Sequence, residues 1–243
     1  MIRWFHWFFR KQMQHIFALC SILFISCLIP QEICHANTVG ANFEEFYKPG
    51  NTSDFYIFVD TIRHRMIVKQ NGVMIRTFPI AIGTDDTPSP IGEWKVISKS
   101  KDWGSGFGTR WLGLNVPWGI YGIHGTNKPQ SIGRRASHGC VRMFNRDVEA
   151  LFQMIPVGTP VTISGYILGA PWELPRRLVE GERGPDVLLI QQRLKYGGYY
   201  SGTCDGIYRG DLDYALQKFQ KVNHISIDRN VSLADYRSLG LDE

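Results

Sequence analysis

The stretch FYIFVDTIRHRMIVKQNGVMIRTFPIAI, residues Phe55 to Ile82, decides the fold. Phe55 to Asp60 and Arg65 to Gln70 are short runs rich in Ile, Val and Phe, side chains that suit a pleated, half-buried surface. Asn71-Gly72 follows, the strongest two-residue hairpin signal, because both central positions of such a turn take positive φ. A third run, Val73 to Ile82, completes the pattern. Downstream, strands are expected at Gly92 to Ser98, Ile120 to His124, Gly139 to Met143 and Thr159 to Ser164. One helix interrupts them, with Val148, Leu151, Phe152 and Ile155 at i, i+3, i+4 and i+7 and Asn145 as its N-cap. Many short strands with Gly and Pro turns predict a mainly β, sandwich-like domain over residues 54–165.

Beyond Tyr166 the chain changes character. Gly169-Ala170-Pro171 through Pro175-Arg176-Arg177 reads as a linker over 166–180, and past Gly181 the hydrophobic period shifts from two to 3.6. Val187, Ile190 and Leu194 make one stripe; Leu212, Ala215, Leu216, Phe219 and Val222 make another; Leu233, Tyr236 and Leu239 suggest a short third. Residues 181–243 are therefore expected to form a small all-α three-helix domain, at about 60 residues near the lower limit for an independent core.

Composition excludes several classes. At 44% hydrophobic and 13% aromatic, the 243 residues carry enough apolar surface to fold, so extended disorder and fibrous repeats are ruled out. The net charge of +5 is spread without a long basic run, unlike a nucleic-acid binder. Residues 1–36 read as a signal peptide: Arg3, Arg10 and Lys11 precede the apolar run Ile16 to Ile29, and Cys34-His35-Ala36 ends in a small-x-small pattern. An uncleaved membrane anchor is the alternative, because Trp4, Phe5, Trp7, Phe8 and Phe9 lengthen the apolar character upstream. Residues 37–53 form a polar lead-in. Cleavage after Ala36 would lower the charge to +3 and remove Cys20, Cys27 and Cys34, leaving Cys140 and Cys204 and no disulfide framework. An extracytoplasmic protein, secreted or anchored and meeting the cell envelope, is expected.

The chemistry lies in Tyr121 to Met143, YGIHGTNKPQSIGRRASHGCVRM. Alone, a cysteine in a β domain is most often a small buried hydrophobe and a histidine a satisfied polar residue. Together they suggest more. If 139–143 is a strand, His138 and Cys140 share a face and Gly139 between them leaves the backbone accessible. A thiol nucleophile needs a base or a cationic neighbour, and His124 and His138 are both available. Arg134, Arg135 and Arg142 could favour thiolate or hold a carboxylate, with surface solvation the plainer reading of the first two. The stretch Trp103 to Trp111 mixes glycine with aromatics, as a mobile wall over a site would, or as a loop packed by its own rings; Trp111 is its candidate substrate contact. Gly104, Gly106 and Gly108 do not fit a nucleotide loop, since no strand-to-helix unit follows. Cys204, beside Asp205-Gly206 with no nearby histidine, reads as inert.

HGTN with SHGCVRM resembles the signature of the L,D-transpeptidase (YkuD-type) catalytic domain. Asn71-Gly72, TPSPIGEW from Thr87 to Trp94, and Val157-Gly158-Thr159-Pro160-Val161 resemble that family in order. The resemblance implies a β-sandwich fold, Cys140 as acylated nucleophile, His124 as base, and the Gly125 carbonyl orienting the imidazole. It places His138 as a site-lining residue, Ser137 and Arg142 at the substrate, and backbone N–H groups around Gly139 and Cys140 at the oxyanion. Some relatives carry Asn where Arg142 stands. The reaction implied is attack on the third residue of a tetrapeptide stem, release of the terminal D-Ala and transfer to an amine, with no metal or organic cofactor. GERGPDVLLIQQRLKYGGYY, Asp205-Gly206 and ALQKFQKVN resemble a three-helix peptidoglycan-binding domain, departing from it at Asp228-Arg229-Asn230. Tyr199 and Tyr200 could stack on sugar or peptide, or flank the turn as core residues. Peptidoglycan stem peptides and glycan are the expected partners. The alternatives are an L,D-carboxypeptidase, a zinc peptidase using His124, His138 and Cys140 as ligands, and an inactive wall-binding protein.

Overall fold

The computed structural model describes residues 55–101, 104 and 106–241; the expected leader, the lead-in and Trp103 lie outside the described residues. Three strands begin it: β1 (Phe55–Asp60), β2 (Arg65–Gln70) and β3 (Val73–Pro79). Asn71 and Gly72 take φ of 53° and 79°, and Gln70 pairs with Val73 across them. The turn is the one their side chains dictate. Ile57 and Val59 on β1 and Met66 and Val68 on β2 alternate inward and are fully buried, the period-2 pattern of a sheet with one face on a core.

The chain continues through β4 (Ile82–Gly83), β5 (Gly92–Lys101), β6 (Arg110–Leu114), β7 (Tyr121–His124), β8 (Arg135–Ser137) and β9 (Val141–Arg142). Helix α1 (Asn145–Met154) and β10 (Pro160–Ser164) complete the β region. Eight strands form one sheet in the order β3-β2-β1-β10-β5-β6-β7-β9, and β4 pairs with β8 apart from it. Strands about 4.8 Å apart would place β2 and β9 roughly 30 Å from each other in a flat sheet. Yet Met66, Leu112, Ile123, Val141 and Leu151 belong to one buried cluster. The sheet is therefore curled around its core, with α1 inserted, which is the sandwich-like architecture the strand pattern implies.

Two expectations shift. Asn145 is not the N-cap of α1 but its first residue; Phe144 holds the cap position without a side-chain hydrogen bond. The strand expected over 139–143 pairs only at Val141–Arg142, because Gly139 at φ 105° breaks the extended chain. The period that would set His138 and Cys140 on one face is interrupted there, and His138 is exposed while Cys140 is half-buried.

The helical region contains α2 (Pro185–Tyr196), α3 (Gly210–Val222) and the short α4 (Leu233–Ser238). Val187, Ile190, Leu194, Leu212, Ala215, Leu216, Phe219 and Tyr236 are buried in a second cluster as their spacing predicts; Val222 is 62% exposed, and Leu233 and Leu239 are only half-buried. Tyr200 is buried and donates its hydroxyl to the Thr203 carbonyl at 3.0 Å, and Tyr199 packs edge-on against Phe219 at 5.3 Å. Both are core residues. Cys204 is half-buried against the same cluster.

Two glutamines repeat one device. Gln191 donates to Asp205 Oδ1 at 3.2 Å and to the Ile207 carbonyl at 3.1 Å; Gln220 donates to Asp228 Oδ1 at 3.4 Å and to the Asn230 carbonyl at 3.2 Å. Gly206 and Arg229 hold equivalent places with φ of 71° and 58°. Thus Asp228-Arg229-Asn230 keeps the backbone of an Asp-Gly turn without the glycine. The cost is offset by an ion pair, Arg229 Nε to the buried Asp213 carboxylate at 3.0 Å. Among the described residues no helix is long and apolar enough to cross a membrane.

Candidate active site

Strand register brings His124 and Cys140 together. β7 pairs in parallel with β9, Ile123 opposite Val141 and His124 opposite Arg142. One residue back, Cys140 falls beside Gly122. His124 lies two residues on from Gly122 on the same face, so its Cα and that of Cys140 are about 8 Å apart, a gap an imidazole and a thiol can bridge. The Met143 N–H to His124 carbonyl bond, 2.8 Å, fixes this register from the other side.

The imidazole is tightly held. His124 Nδ1 lies 2.5 Å from the Gly125 carbonyl, so Nδ1 carries the proton and Nε2 is left as the acceptor. Trp111, opposite His124 in the β6–β7 pairing, stacks on the ring with centroids 5.7 Å apart, and Phe107 meets it edge-on at 4.9 Å. Trp111 is only 2% exposed. The expectation of Trp111 as a substrate contact is thereby corrected: it backs the histidine from inside the sheet. The Phe107-to-Trp111 part of the loop packs on the imidazole in the same way. Burial pushes His124 down to about 4; the Gly125 and Phe107 carbonyls oppose that and the Arg142 charge reinforces it.

Asn145 completes this support and was missed in the sequence, where its place before an amphipathic stripe suggested a cap. Its Oδ1 accepts the N–H groups of Thr126 at 3.0 Å and Thr109 at 3.4 Å. The same oxygen lies 2.2 Å from where a Cβ would stand on either Gly108 or Gly125. Only glycine admits the amide there. One side chain thus ties the aromatic loop to the residue that orients His124.

The turn before Cys140 is set by Ser137, which is buried. Its Oγ donates to the Cys140 carbonyl at 2.6 Å and accepts the Gly139 N–H at 3.1 Å. A Cβ on Gly139 would lie 2.6 Å from the Tyr121 ring, so glycine is needed for contact as well as for its positive φ. Tyr121 was not singled out in the sequence; it flanks the Gly139-Cys140 turn. The Gly139 N–H, one of the two expected oxyanion donors, is engaged by Ser137. Burial raises the Cys140 thiol, while the Gly122 N–H and the Arg142 charge draw it down. With the thiol raised and the imidazole lowered, burial favours the neutral form of each group.

Arg142 is half-buried, donates Nη1 to the Ala136 carbonyl at 2.8 Å, and has a buried Nε with no partner among the described residues. Arg135 pairs with Asp85, and Arg134 is exposed. Among the described residues no three of His, Cys, Asp and Glu gather as metal ligands. The arrangement suits acyl transfer: a thiol, an oriented neutral imidazole and a nearby backbone donor.

Residues 54–163 match the family model "YkuD: L,D-transpeptidase catalytic domain", and residues 183–231 match "Putative peptidoglycan binding domain". The chain is 42% identical over 114 residues to "Putative L,D-transpeptidase YkuD" of Bacillus licheniformis, covering 43% of this chain and 68% of that one. Among solved structures, it is similar to the catalytic domain of an Enterococcus faecium L,D-transpeptidase: 28% identity, 47% of this chain and 100% of that one, TM-score 0.41. An L,D-transpeptidase from Mycobacterium smegmatis matches at 20% identity and TM-score 0.41, over 46% of this chain and 59% of that one. The match thus spans about three fifths of the mycobacterial chain.

Proposed function

The chain belongs to the YkuD family of L,D-transpeptidases, and from that premise we propose that it cross-links peptidoglycan stem peptides through a thioester on Cys140. His124 Nε2 takes the thiol proton as sulfur attacks the carbonyl of the third stem residue. The Gly125 carbonyl, 2.5 Å from Nδ1, stabilises the imidazolium that forms. Cys140 N–H receives the developing oxyanion. Protonated His124 then passes its proton to the departing amine of D-Ala. An amine on a second stem resolves the thioester and gives a 3→3 link; water in its place gives the L,D-carboxypeptidase outcome from the same intermediate.

The observation that supports this reading is the short Nδ1 contact to Gly125, which leaves Nε2 as the acceptor of the ring. Exposed His138 lines the approach, and the half-buried Arg142 guanidinium supplies positive charge for a substrate carboxylate. The helical region contributes affinity for the wall polymer, in keeping with its family match. Residues 1–36 deliver the chain across the membrane as a signal peptide, which an N-terminal sequence of the envelope-associated protein tests.

The proposal is tested by incubating the full chain with a disaccharide-tetrapeptide and resolving the products. Released D-Ala with a tetrapeptide-tripeptide dimer supports transpeptidation. Tripeptide alone, even with abundant acceptor, supports the carboxypeptidase reading. Hydrolysis abolished by a chelator, with no covalent species, would favour the zinc peptidase.

A further inference from the structure

Tyr121 begins β7, and strand alternation sets it on the face opposite His124. His124 points to the reacting side, so Tyr121 and Ile123 point to the other, where Ile123 is fully buried in the core. From that side the Tyr121 ring reaches the turn that carries the nucleophile. Gly139 is hemmed between this ring and the Pro88 carbonyl: a Cβ on it would stand 2.6 Å from the first and 3.2 Å from the second. A Cβ on Gly119 would lie 2.8 Å from the same ring. Glycine at both positions gives the phenol its seat, and the residue before Cys140 rests against it.

Trp118 fixes the Tyr121 ring in turn. The two rings meet edge-on with centroids 6.4 Å apart, and the Trp118 side chain hydrogen-bonds that of Tyr121. An indole can only donate, so the phenol oxygen is the acceptor. Trp118 is itself buried and packs edge-on against Trp94 at 5.2 Å. Trp94 is anchored through its indole N–H, which donates to the Pro90 carbonyl at 2.7 Å.

The helical region presses on Trp118 through Gly206, where a Cβ would stand 2.4 Å from the indole. Gly206 is held in place by its own region. Its N–H donates to Oε1 of the fully buried Gln191 at 2.7 Å, and its carbonyl accepts the Gly184 N–H at 3.0 Å. Leu188 and the adjacent Ile207 pack against the core of the β region. Close contacts therefore run from the turn between α2 and α3 through Trp118 and Tyr121 to Gly139, and packing of this density transmits a displacement.

We propose that Tyr121 is a positioning residue for acylation and that the helical region sets it through Trp118, so that the docked helical region completes the catalytic site. The inference rests on the transpeptidase reading and gives the helical region a part in the reaction beyond wall attachment. Tyr121 acts through the backbone. The Cys140 thiol and N–H both move with the Gly139-Cys140 turn, and a misplacement of about 1 Å there can cost up to about 100-fold in rate.

The test follows thioester formation on Cys140 of the full chain by a tetrapeptide stem, read by intact mass over time. Tyr121→Ala should lower the rate at saturating stem by at least about tenfold, while the half-saturating concentration stays within about twofold. Alkylation of Cys140 by iodoacetamide, located by peptide mapping, should stay within about threefold of wild type, which shows a folded protein with an accessible thiol. Tyr121→Phe keeps the ring against Gly139 and should return acylation to within about threefold. In a double-mutant cycle, Gly206→Ala should slow acylation when Tyr121 is present and add less than about twofold in the Tyr121→Ala protein. Multiplicative losses in that cycle would overturn the proposal, as would a normal rate in Tyr121→Ala. Parallel losses of acylation and alkylation would also overturn it, since they mark a general loss of folding. No thioester in wild type would overturn both this inference and the transpeptidase reading.

Discussion

The side-chain oxygen of Asn145 accepts the backbone N–H of Thr126 at 3.0 Å, so the first residue of α1 fixes the chain two residues beyond His124. Replacing Asn145 with Ala leaves the N–H of Thr126, a buried residue, without its partner, which costs about 1–3 kcal/mol. The Gly125 carbonyl then loses its fixed position, and acylation should slow by about tenfold or more. Asn145→Asp keeps an acceptor oxygen and should recover most of the rate. Equal losses in both variants, measured by acylation kinetics beside urea midpoints, would remove this hydrogen bond from the account.

Burial pushes His124 down to about 4, so its imidazole is neutral at pH values well above that. The acid limb of acylation should therefore fall near pH 4 and not near the ordinary histidine value of about 6.5. An acid limb near 6.5 in the pH–rate profile would contradict the buried neutral base.

The same shift has a consequence for stability. The folded value lies below the unfolded one, so between about 6.5 and about 4 the unfolded chain binds a proton that the native state refuses. Stability from this group is full above that window and is lost as pH falls through it, by up to about 3 kcal/mol. Urea midpoints at pH 7 and pH 4.5 should differ more for wild type than for His124→Gln.

Gly206 cannot accept a side chain: its φ is 71°, and a Cβ would lie 2.4 Å from Trp118. Gly206→Ala should cost about 2–4 kcal/mol from left-handed strain and overpacking combined. Because Trp118 also contacts Tyr121, the variant should lose acylation rate as well as melting temperature. A stable variant with a normal rate would mean that the two regions are not mechanically joined at this point.

At the equivalent turn, Arg229 holds φ 58° while pairing with Asp213. Arg229→Ala keeps the strain and loses the pair; Arg229→Gly loses the pair but relieves about 1 kcal/mol of strain. The glycine variant should therefore unfold at the higher urea concentration of the two. The reverse order would show that Arg229 is unstrained.

What could be read from sequence was what is local. Asn71-Gly72 specifies its turn by its own φ preferences, and the stripes of α1, α2 and α3 name their buried faces. His124 and Cys140 stood out because an unusual pair of residue types recurs with Gly neighbours. Non-local relationships were hidden. RWLGL at β6 shows neither clean alternation nor a turn boundary, and its strand state comes from pairing with β5 and β7. β8 is three residues long and is held by β4, far away in sequence. Trp111 could be noticed as an aromatic beside glycines, but only the register with His124 turns it from a surface contact into a buried support. Asn145 illustrates a competition between two good uses of one side chain: a helix cap and a clamp on Thr109 and Thr126.

The central claim is tested most directly by the intact mass of the full chain after brief incubation with a tetrapeptide stem, followed by peptide mapping. The account predicts an increase equal to the tetrapeptide less D-Ala, located on Cys140, absent from Cys140→Ala and formed much more slowly by His124→Ala. D-Ala release with no mass added to Cys140, or the same rate in the Cys140→Ala protein, would contradict it.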